Sequence, residues 1–190
     1  MIVVSEEVRT ALAEQRPVVA LETTLVAHGF PAPDGVEVGL DSEQAVREAG
    51  AVPATVGVLD GAIRVGLDAA DLERFTPGAR KVGPRDLAAC ALQHAVGATT
   101  VGGTLAVART TGIRFMGTGG LGGVHREFPS PPDVSADLAE AARTPALVVS
   151  SGGRPSRSMA PPSCQCPRAM RAASSAVSTT AETSGPPSAV

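Results

Sequence analysis

Hydrophobic positions along residues 1–149 alternate between helical and extended spacing. Ser5 can cap a helix that carries Val8 and Leu12 on one face, because residues four apart lie on the same side of a helix. The apolar run 18–21 then predicts a short buried strand. The chain therefore begins with a helix followed by a strand.

A second helix is predicted to begin at Asp34. Asp34 and Glu37 have the spacing of a capping box, in which each residue satisfies a backbone N–H of the first turn. Val36 and Leu40 share one face of this helix, and Gly50 provides its end.

The same alternation continues to residue 149. Asp60-Gly61 is a strong two-residue hairpin signal between the apolar runs 54–59 and 62–66. The Gly-Gly pair in residues 99–111 breaks either kind of element, although 104–109 favours a helix. The other predicted elements are helices over 68–74, 86–96 and 136–143 and strands over 113–116 and 146–149. This order of elements predicts a layered α/β domain.

Residues 150–190 differ in composition from the rest. Residues 151–190 contain nine Ser, seven Ala and six Pro but no Leu, Ile or Phe. Such a segment lacks the apolar area needed to offset the entropy of ordering, so we expect it to be disordered.

Charge and hydropathy exclude several classes of protein. The net charge of −3 and the absence of a basic stripe argue against binding to a nucleic-acid polymer. No apolar stretch approaches the ~20 residues that span a bilayer, and no signal peptide is evident, so we expect a cytoplasmic protein. Fifteen of the sixteen basic residues are Arg, and Lys81 is the single lysine.

Glu22 lies at the end of the first predicted strand, where open α/β sheets usually bind ligands. It is either a general acid or base with a raised pKa or an ordinary solvated carboxylate. Lys81 and Arg85 precede a predicted helix and could hold a phosphate, or could be a solvated charge cluster.

The segment 117–122 matches the G-x-G-x-x-G pattern after a predicted strand. Three prolines, Pro129, Pro131 and Pro132, occupy the region where a phosphate-binding helix should continue, which argues against dinucleotide binding. A turn with backbone N–H groups facing an anion, or a purely structural turn, fits the sequence better.

Two carboxylates lie near the start of the last predicted helix. Asp133 and Asp137 flank Ser135, which suits either a simple helix cap or hard-cation binding beside N-terminal amides. His28 and His125 could join these carboxylates around a metal, although no short ligand spacing supports that arrangement.

Together these segments resemble the pseudouridine-5'-phosphate glycosidase family across about residues 3–149. The strings that carry the resemblance are 20–24 (ALETT), 28–31 (HGFP), 50–55 (GAVPAT), 81–87 (KVGPRDL), 97–101 (GATTV), 118–126 (TGGLGGVHR) and 133–138 (DVSADL). The resemblance implies a layered α/β/α fold, here incomplete at the C-terminus, usually assembled as a homotrimer. It also implies manganese-assisted, reversible cleavage of pseudouridine 5'-phosphate to uracil and ribose 5-phosphate.

The resemblance also implies roles for particular residues. Glu22 corresponds to the proton donor and Asp133 to the manganese ligand. The substrate-contacting positions are Lys81, Val101, Ser135, Ala136 and Asp137.

The family is understood to open the sugar and join its C1' to a lysine as an imine, an electron sink that eases cleavage of the carbon–carbon bond. That lysine should follow the strand ending at Val149, but the position holds Arg154, whose guanidinium stays protonated and is no nucleophile. The resemblance stops near Val149, short of a C-terminal half, and the composition beyond it indicates another reading frame of a GC-rich gene.

We therefore expect a glycosidase-like chain with impaired activity. Three alternatives stay open: a non-catalytic binder of a sugar phosphate or nucleotide, an inactive gene remnant, and, less favoured, a metal-dependent hydrolase using His28, His125 and Asp133.

Overall fold

The computed structural model describes residues 1–31, 33–122, 124–125 and 133–151, with the backbone alone at 124–125 and 133–134. Of the segment 150–190, for which the sequence predicts disorder, Ser150 and Ser151 are described, with Ser150 as the last residue of a strand, and 152–190 lie outside the described residues. None of the helices in the described ranges is long and apolar enough to cross a bilayer.

The described residues form ten strands and seven helices. The strands are β1 (Ile2–Val4), β2 (Val18–Glu22), β3 (Val52–Leu59), β4 (Ala62–Val65), β5 (Arg80–Val82), β6 (Gly97–Thr99), β7 (Phe115–Thr118), β8 (Val124–His125), β9 (Asp133–Val134) and β10 (Leu147–Ser150). The helices are α1 (Glu6–Ala13), α2 (Thr24–His28), α3 (Asp34–Glu48), α4 (Ala69–Leu72), α5 (Leu87–Leu92), α6 (Val101–Thr111) and α7 (Asp137–Ala141).

An eight-stranded mixed sheet organises the fold, with the main order β1-β4-β3-β2-β7-β10. β2 runs parallel to both β3 and β7, and β10 runs parallel to β7. β4 returns antiparallel to β3 through the predicted Asp60-Gly61 turn, in which both residues have positive φ (52° and 76°). The strand pair β8-β9 forms a separate small ladder.

Two sets of strands, β2 on one side and the parallel pair β5 and β6 on the other, run in opposite directions within this sheet and end close to each other. Gly57 and Val58 of β3 pair with β4 on one edge and with β6 on the other, so β6 shares an edge of β3 with β2. Because β6 is antiparallel to β3 and β2 is parallel to it, the carboxyl ends of β2 and β6 meet near Val56. β5 runs parallel to β6, and therefore its carboxyl end also faces this gap.

Helices cover both faces of the sheet. Alternate residues of β2 point to opposite sides, with Val18 and Ala20 in one buried cluster and Val19 and Leu21 in another. The first cluster contains residues of α1, α5 and α6, whereas the second contains residues of α3. The fold is thus the mixed α/β arrangement, with helices on both faces of the sheet, that the sequence predicted.

Some local predictions were wrong. α3 begins at Asp34 itself, after Pro33, and has no side-chain cap, so the predicted capping box does not form. Its buried face contains Ala45 and Val46, while Leu40 is exposed. α5 ends at Leu92, well before the predicted limit of 96, because the chain turns there to enter β6.

The sequence patterns also missed the short strands β1, β5 and β6. Three residues are too few to display an alternating pattern, and these strands are defined by their partners in the sheet.

Candidate active site

Glu22 is the last residue of β2 and lies where the two sets of strands meet. Its side chain is only 9 % exposed, because β2 lies between β3 and β7 and helices cover both faces of the sheet. Burial, the largest effect, raises the pKa of this carboxyl from 4.5 to about 7. Glu22 can therefore hold and release a proton near neutral pH.

Three neighbouring groups modify the pKa of Glu22. The hydroxyl of Thr118, at the end of the adjacent strand β7, donates a short hydrogen bond to Glu22 Oε1 and lowers the pKa. The like charge of Asp137 raises it, and the opposite charge of Lys81 lowers it. Glu22, Lys81 and Asp137, all candidate site residues from the sequence, are thus close enough for their charges to interact.

Asp137 joins three elements through its carboxylate. Oδ1 accepts the Gly102 N–H of α6 at 2.7 Å, and Oδ2 accepts the Gly122 N–H of the loop after β7 at 3.2 Å. The carboxylate thus complements the positive end of α6 and fixes the glycine-rich loop beside it.

The predicted helix cap at Ser135 takes a modified form. Ser135 Oγ accepts the Asp137 N–H at 3.2 Å, while the residue at the N-cap of α7 is Ala136, which has no capping side chain and is exposed. Ser135, Ala136 and Asp137 are therefore adjacent at the start of α7, with the Asp137 side chain turned inward and 8 % exposed.

Lys81 and Val101 lie on the opposite side of the gap from β2. Lys81 is an exposed residue of β5, paired in register with Ala98 of β6. Val101 is the first residue of α6, and its side chain is 2 % exposed in the main core. Because this side chain is enclosed, Val101 can offer a ligand little besides its backbone.

A threonine cluster, of which Thr23, Thr99 and Thr104 are buried and Thr24 is half-buried, joins the ends of β2 and β6. Thr23 and Thr99 both donate a hydroxyl hydrogen bond to the Val56 carbonyl, at 2.8 and 2.7 Å. Thr24 also donates to the Thr99 carbonyl at 2.7 Å, and Thr104 lies 2.9 Å from the Thr99 hydroxyl. The chain that directly follows Glu22 is thus held by polar contacts as well as by the sheet.

The described side chains do not form a cluster of candidate metal ligands. His28 is exposed, and its Nε2 lies 3.1 Å from the Ala79 carbonyl. Across the described residues, no three His, Cys, Asp or Glu side chains group closely enough to hold a metal. The side chains of His125 and Asp133, and the whole of Arg154, fall outside the described part of the chain.

The glycine-rich segment is not a dinucleotide-binding turn. The chain enters β8 two residues after Gly122, which excludes the helix that such a motif requires, as the sequence argued. Gly122 has φ +73°, a conformation that suits glycine, and its N–H is directed to Asp137.

Sequence reasoning assigned no role to Thr118 or to the buried threonine cluster. The position of Thr118 in the sequence was the one available sign, because it lies between a predicted strand and the glycine-rich loop. The pairing of that strand with β2 was needed to bring Thr118 to Glu22.

Comparison with known proteins assigns the chain to a family. A family model described as "Indigoidine synthase A like protein" matches residues 7–156, and the chain belongs to this family. Among solved structures, an indigoidine synthase A-like protein from Thermotoga maritima is 36 % identical with a TM-score of 0.69, covering 80 % of this chain and 49 % of that protein.

Relatives with stated activities share the same region. A pseudouridine-5'-phosphate glycosidase from Chloroflexus aurantiacus is 50 % identical over 157 residues, which cover 81 % of this chain and 52 % of that enzyme. One from Salinispora tropica is 54 % identical over 77 % of this chain and 46 % of the enzyme. These matches confirm the family resemblance found in the sequence.

A solved C-glycosynthase is also similar. The prealnumycin C-glycosynthase in complex with ribulose 5-phosphate is 43 % identical with a TM-score of 0.68, covering 80 % of this chain and 50 % of that protein. The present chain thus spans about half the length of the relatives it matches.

Proposed function

We propose that this chain carries the proton-donor and sugar-phosphate part of a pseudouridine-5'-phosphate glycosidase site. The observation that carries the proposal is the buried Glu22 carboxyl, whose pKa of about 7 suits proton transfer at neutral pH. The names of relatives that are about half identical to the chain support pseudouridine 5'-phosphate as the substrate.

Glu22 would act as the general acid or general base that moves a proton to or from the uracil ring while the carbon–carbon bond is cleaved or formed. Burial makes the neutral form of Glu22 available at neutral pH, and at that pH the carboxyl still releases its proton readily. A solvated glutamate would already be ionised under these conditions.

The phosphate and sugar would be held by groups around the gap between the carboxyl end of β2 and those of β5 and β6. Lys81 supplies the one lysine cation in the chain, in a position where its charge already influences Glu22. We assign the substrate-facing surface to Lys81, the backbone at Val101 and the start of α7 at Ser135, Ala136 and Asp137, in line with the motif resemblance.

Manganese would be held by Asp133, the first residue of β9. Oxygen donors are the type that Mn²⁺ prefers, and a single carboxylate with water and substrate phosphate oxygens is a common way of holding such hard cations. When bound, the ion would neutralise phosphate charge and orient the sugar.

We further propose that this chain binds its substrate with little or no turnover. An arginine at position 154 cannot form the imine that the resemblance requires, because its guanidinium does not lose a proton under physiological conditions. A non-catalytic sugar-phosphate binder is accordingly the second candidate function. A homotrimeric, cytoplasmic protein is part of the same proposal.

Binding and turnover can be measured separately on the purified chain. Calorimetric titration with ribose 5-phosphate should give saturable binding, and Lys81→Gln should weaken it by about 10- to 100-fold, as expected for loss of a charge-assisted hydrogen bond. Arg9→Gln, which removes one exposed cation from α1, is the matched control and should bind as the parent does.

Two further measurements test the remaining parts of the proposal. Mn²⁺ should lose its free-ion paramagnetic resonance signal in the presence of the chain, and Asp133→Asn should restore it. Incubation with pseudouridine 5'-phosphate and Mn²⁺ should release no uracil. Absence of saturable sugar-phosphate binding would refute the assigned site, whereas rapid uracil release would refute the proposed impairment.

A further inference from the structure

The hydroxyl of Thr118 has more neighbours than a single orientation can satisfy. Oγ1 donates the short hydrogen bond to Glu22 Oε1, lies 3.0 Å from the Gly120 carbonyl oxygen, and accepts the Gly120 N–H at 3.2 Å. Thr118 is fully buried, so its hydroxyl is out of reach of bulk solvent. A hydroxyl has one proton and two acceptor sites, and therefore two oxygens compete for one proton.

The protonation state of Glu22 decides this competition. An ionised carboxylate only accepts, so the Thr118 proton must point to Glu22 and the Gly120 carbonyl receives no hydrogen bond from Thr118. A protonated Glu22 can donate its own proton to Thr118 Oγ1, which frees the Thr118 proton for the Gly120 carbonyl. The Gly120 N–H occupies the second acceptor site in both cases.

We propose that Thr118 is a positioning residue that holds the Glu22 carboxyl in place in both protonation states. The hydrogen bond between Glu22 and Thr118 Oγ1 reverses its direction, and the hydroxyl proton of Thr118 turns from Glu22 to the Gly120 carbonyl. No bond other than these hydrogen bonds changes, and the hydroxyl only rotates about its C–O bond. The inference rests on the proposed role of Glu22 as proton donor.

The consequence for a proton donor is geometric. A buried acid that loses its proton normally gains a charge that must find new partners, and the side chain moves to find them. Here the partner is already in contact and changes from acceptor to donor. Glu22 can thus give up and regain a proton without leaving its position, which is the preorganisation that proton transfer requires.

The glycine-rich loop takes part in the same exchange. The Gly120 carbonyl gains a hydrogen bond when Glu22 is protonated and loses it when Glu22 ionises. Ser151 Oγ also donates to the neighbouring Gly119 carbonyl at 2.7 Å, and Asp137 holds Gly122, so the loop is anchored on both sides of Gly120. The other charged groups that act on Glu22 are Asp137 from α7 and Lys81 from β5.

Carbon-detected NMR on the labelled chain tests the proposal without any turnover. The Glu22 side-chain carboxyl and the Gly120 backbone carbonyl should titrate together, with the same midpoint, in the parent protein. In Glu22→Gln the Gly120 carbonyl signal should no longer change over that pH range. A Gly120 signal that stays constant while Glu22 titrates would overturn the proposal.

Substitutions at Thr118 provide the second readout. Thr118→Val keeps the shape of the side chain and removes the hydroxyl from both protonation states. It should raise the midpoint of Glu22 by about 0.5 to 1 pH unit, because the hydrogen bond to the charged carboxylate is stronger than the one made by the neutral acid. Thr118→Ser should restore both the midpoint and the coupling to Gly120. Thr55→Val, which removes a buried hydroxyl from a different carboxylate, Glu43, is the matched control and should leave Glu22 and Gly120 unchanged.

An unchanged Glu22 midpoint in folded Thr118→Val would also overturn the proposal. Should Thr118→Val fail to fold, the parent and Thr118→Ser titrations still decide it, because the coupled Gly120 signal is measured in them. Failure of sugar-phosphate binding with an intact Glu22–Gly120 coupling would affect the proposed function alone.

Discussion

At the scale of single residues, the environment of Glu22 combines opposing effects. Burial and the nearby Asp137 charge disfavour the carboxylate, whereas the Thr118 hydrogen bond and the Lys81 charge favour it. The first pair prevails, and the pKa rises to about 7. The protein thus stabilises the neutral acid relative to the anion, at a cost to folding stability when the acid is ionised.

That cost predicts a pH dependence of stability. A carboxyl with a raised pKa in the folded state retains its proton after the unfolded chain has released it, so the free energy of unfolding falls as pH rises from about 4.5 to about 7. A difference of about 2.5 pKa units corresponds to roughly 3 kcal/mol. Glu22→Gln should therefore become progressively more stable relative to the parent across this range, then keep a constant advantage above it.

Urea unfolding at a series of pH values measures this difference. Because the chain has no Trp or Tyr, circular dichroism is the suitable signal. Asp41→Asn, at an exposed carboxylate in the middle of α3, is the control and should show no such trend over the same interval. Parallel pH profiles for the parent and Glu22→Gln would show that the folded-state pKa of Glu22 is not raised.

At the scale of elements, the Gly102-Gly103 pair shows why local patterns fail where tertiary contacts are close. Two glycines argue against a helix, yet both lie in the first turn of α6. A Cβ at Gly103 would lie 2.5 Å from the Val82 carbonyl of β5, and one at Gly102 would lie 3.2 Å from the Asp137 carboxylate. The glycines permit close packing of the helix, and their sequence carries no sign of the partner.

This packing predicts a large effect of a small substitution. Gly103→Ala should destabilise the fold by about 2 kcal/mol or more, because the contacting atom belongs to the backbone and α6 must move away from β5. Gly78→Ala, in a loop where the added methyl meets only Thr76 Oγ1 at 3.7 Å, should change stability by less than about 0.5 kcal/mol. Chemical denaturation of the two variants compares them directly, and equal stabilities would contradict the close approach.

At the scale of the whole molecule, the sequence predicted the class of fold better than the arrangement of its strands. Strong apolar runs such as β2 and the hairpin turn at Asp60-Gly61 were visible, because burial and turn chemistry leave local signals. The meeting of β2 and β6 could not be foreseen, since it depends on β6 joining β3 in antiparallel orientation. Motif resemblance supplied Lys81 and Asp137, and only the topology connects their charges to Glu22.

The meeting of the two strand sets gives a last prediction, for Thr99. Its hydroxyl donates to the Val56 carbonyl of β3 at 2.7 Å and lies 2.9 Å from Thr104 Oγ1 of α6, so one buried group joins β6, β3 and α6.

Thr99→Val keeps the side-chain shape but leaves the Thr104 hydroxyl without that partner, at a cost of about 1 to 3 kcal/mol. Thr110→Val removes an exposed hydroxyl that donates to the Ala106 carbonyl of its own helix, and should cost less than about 0.5 kcal/mol. In urea unfolding, Thr99→Val should lower the midpoint and Thr99→Ser should recover most of the loss, because serine retains the hydroxyl. If Thr99→Val were no more destabilising than Thr110→Val, the sheet packing alone would hold the two sets of strand ends together, and the threonine cluster would have no part in positioning Glu22.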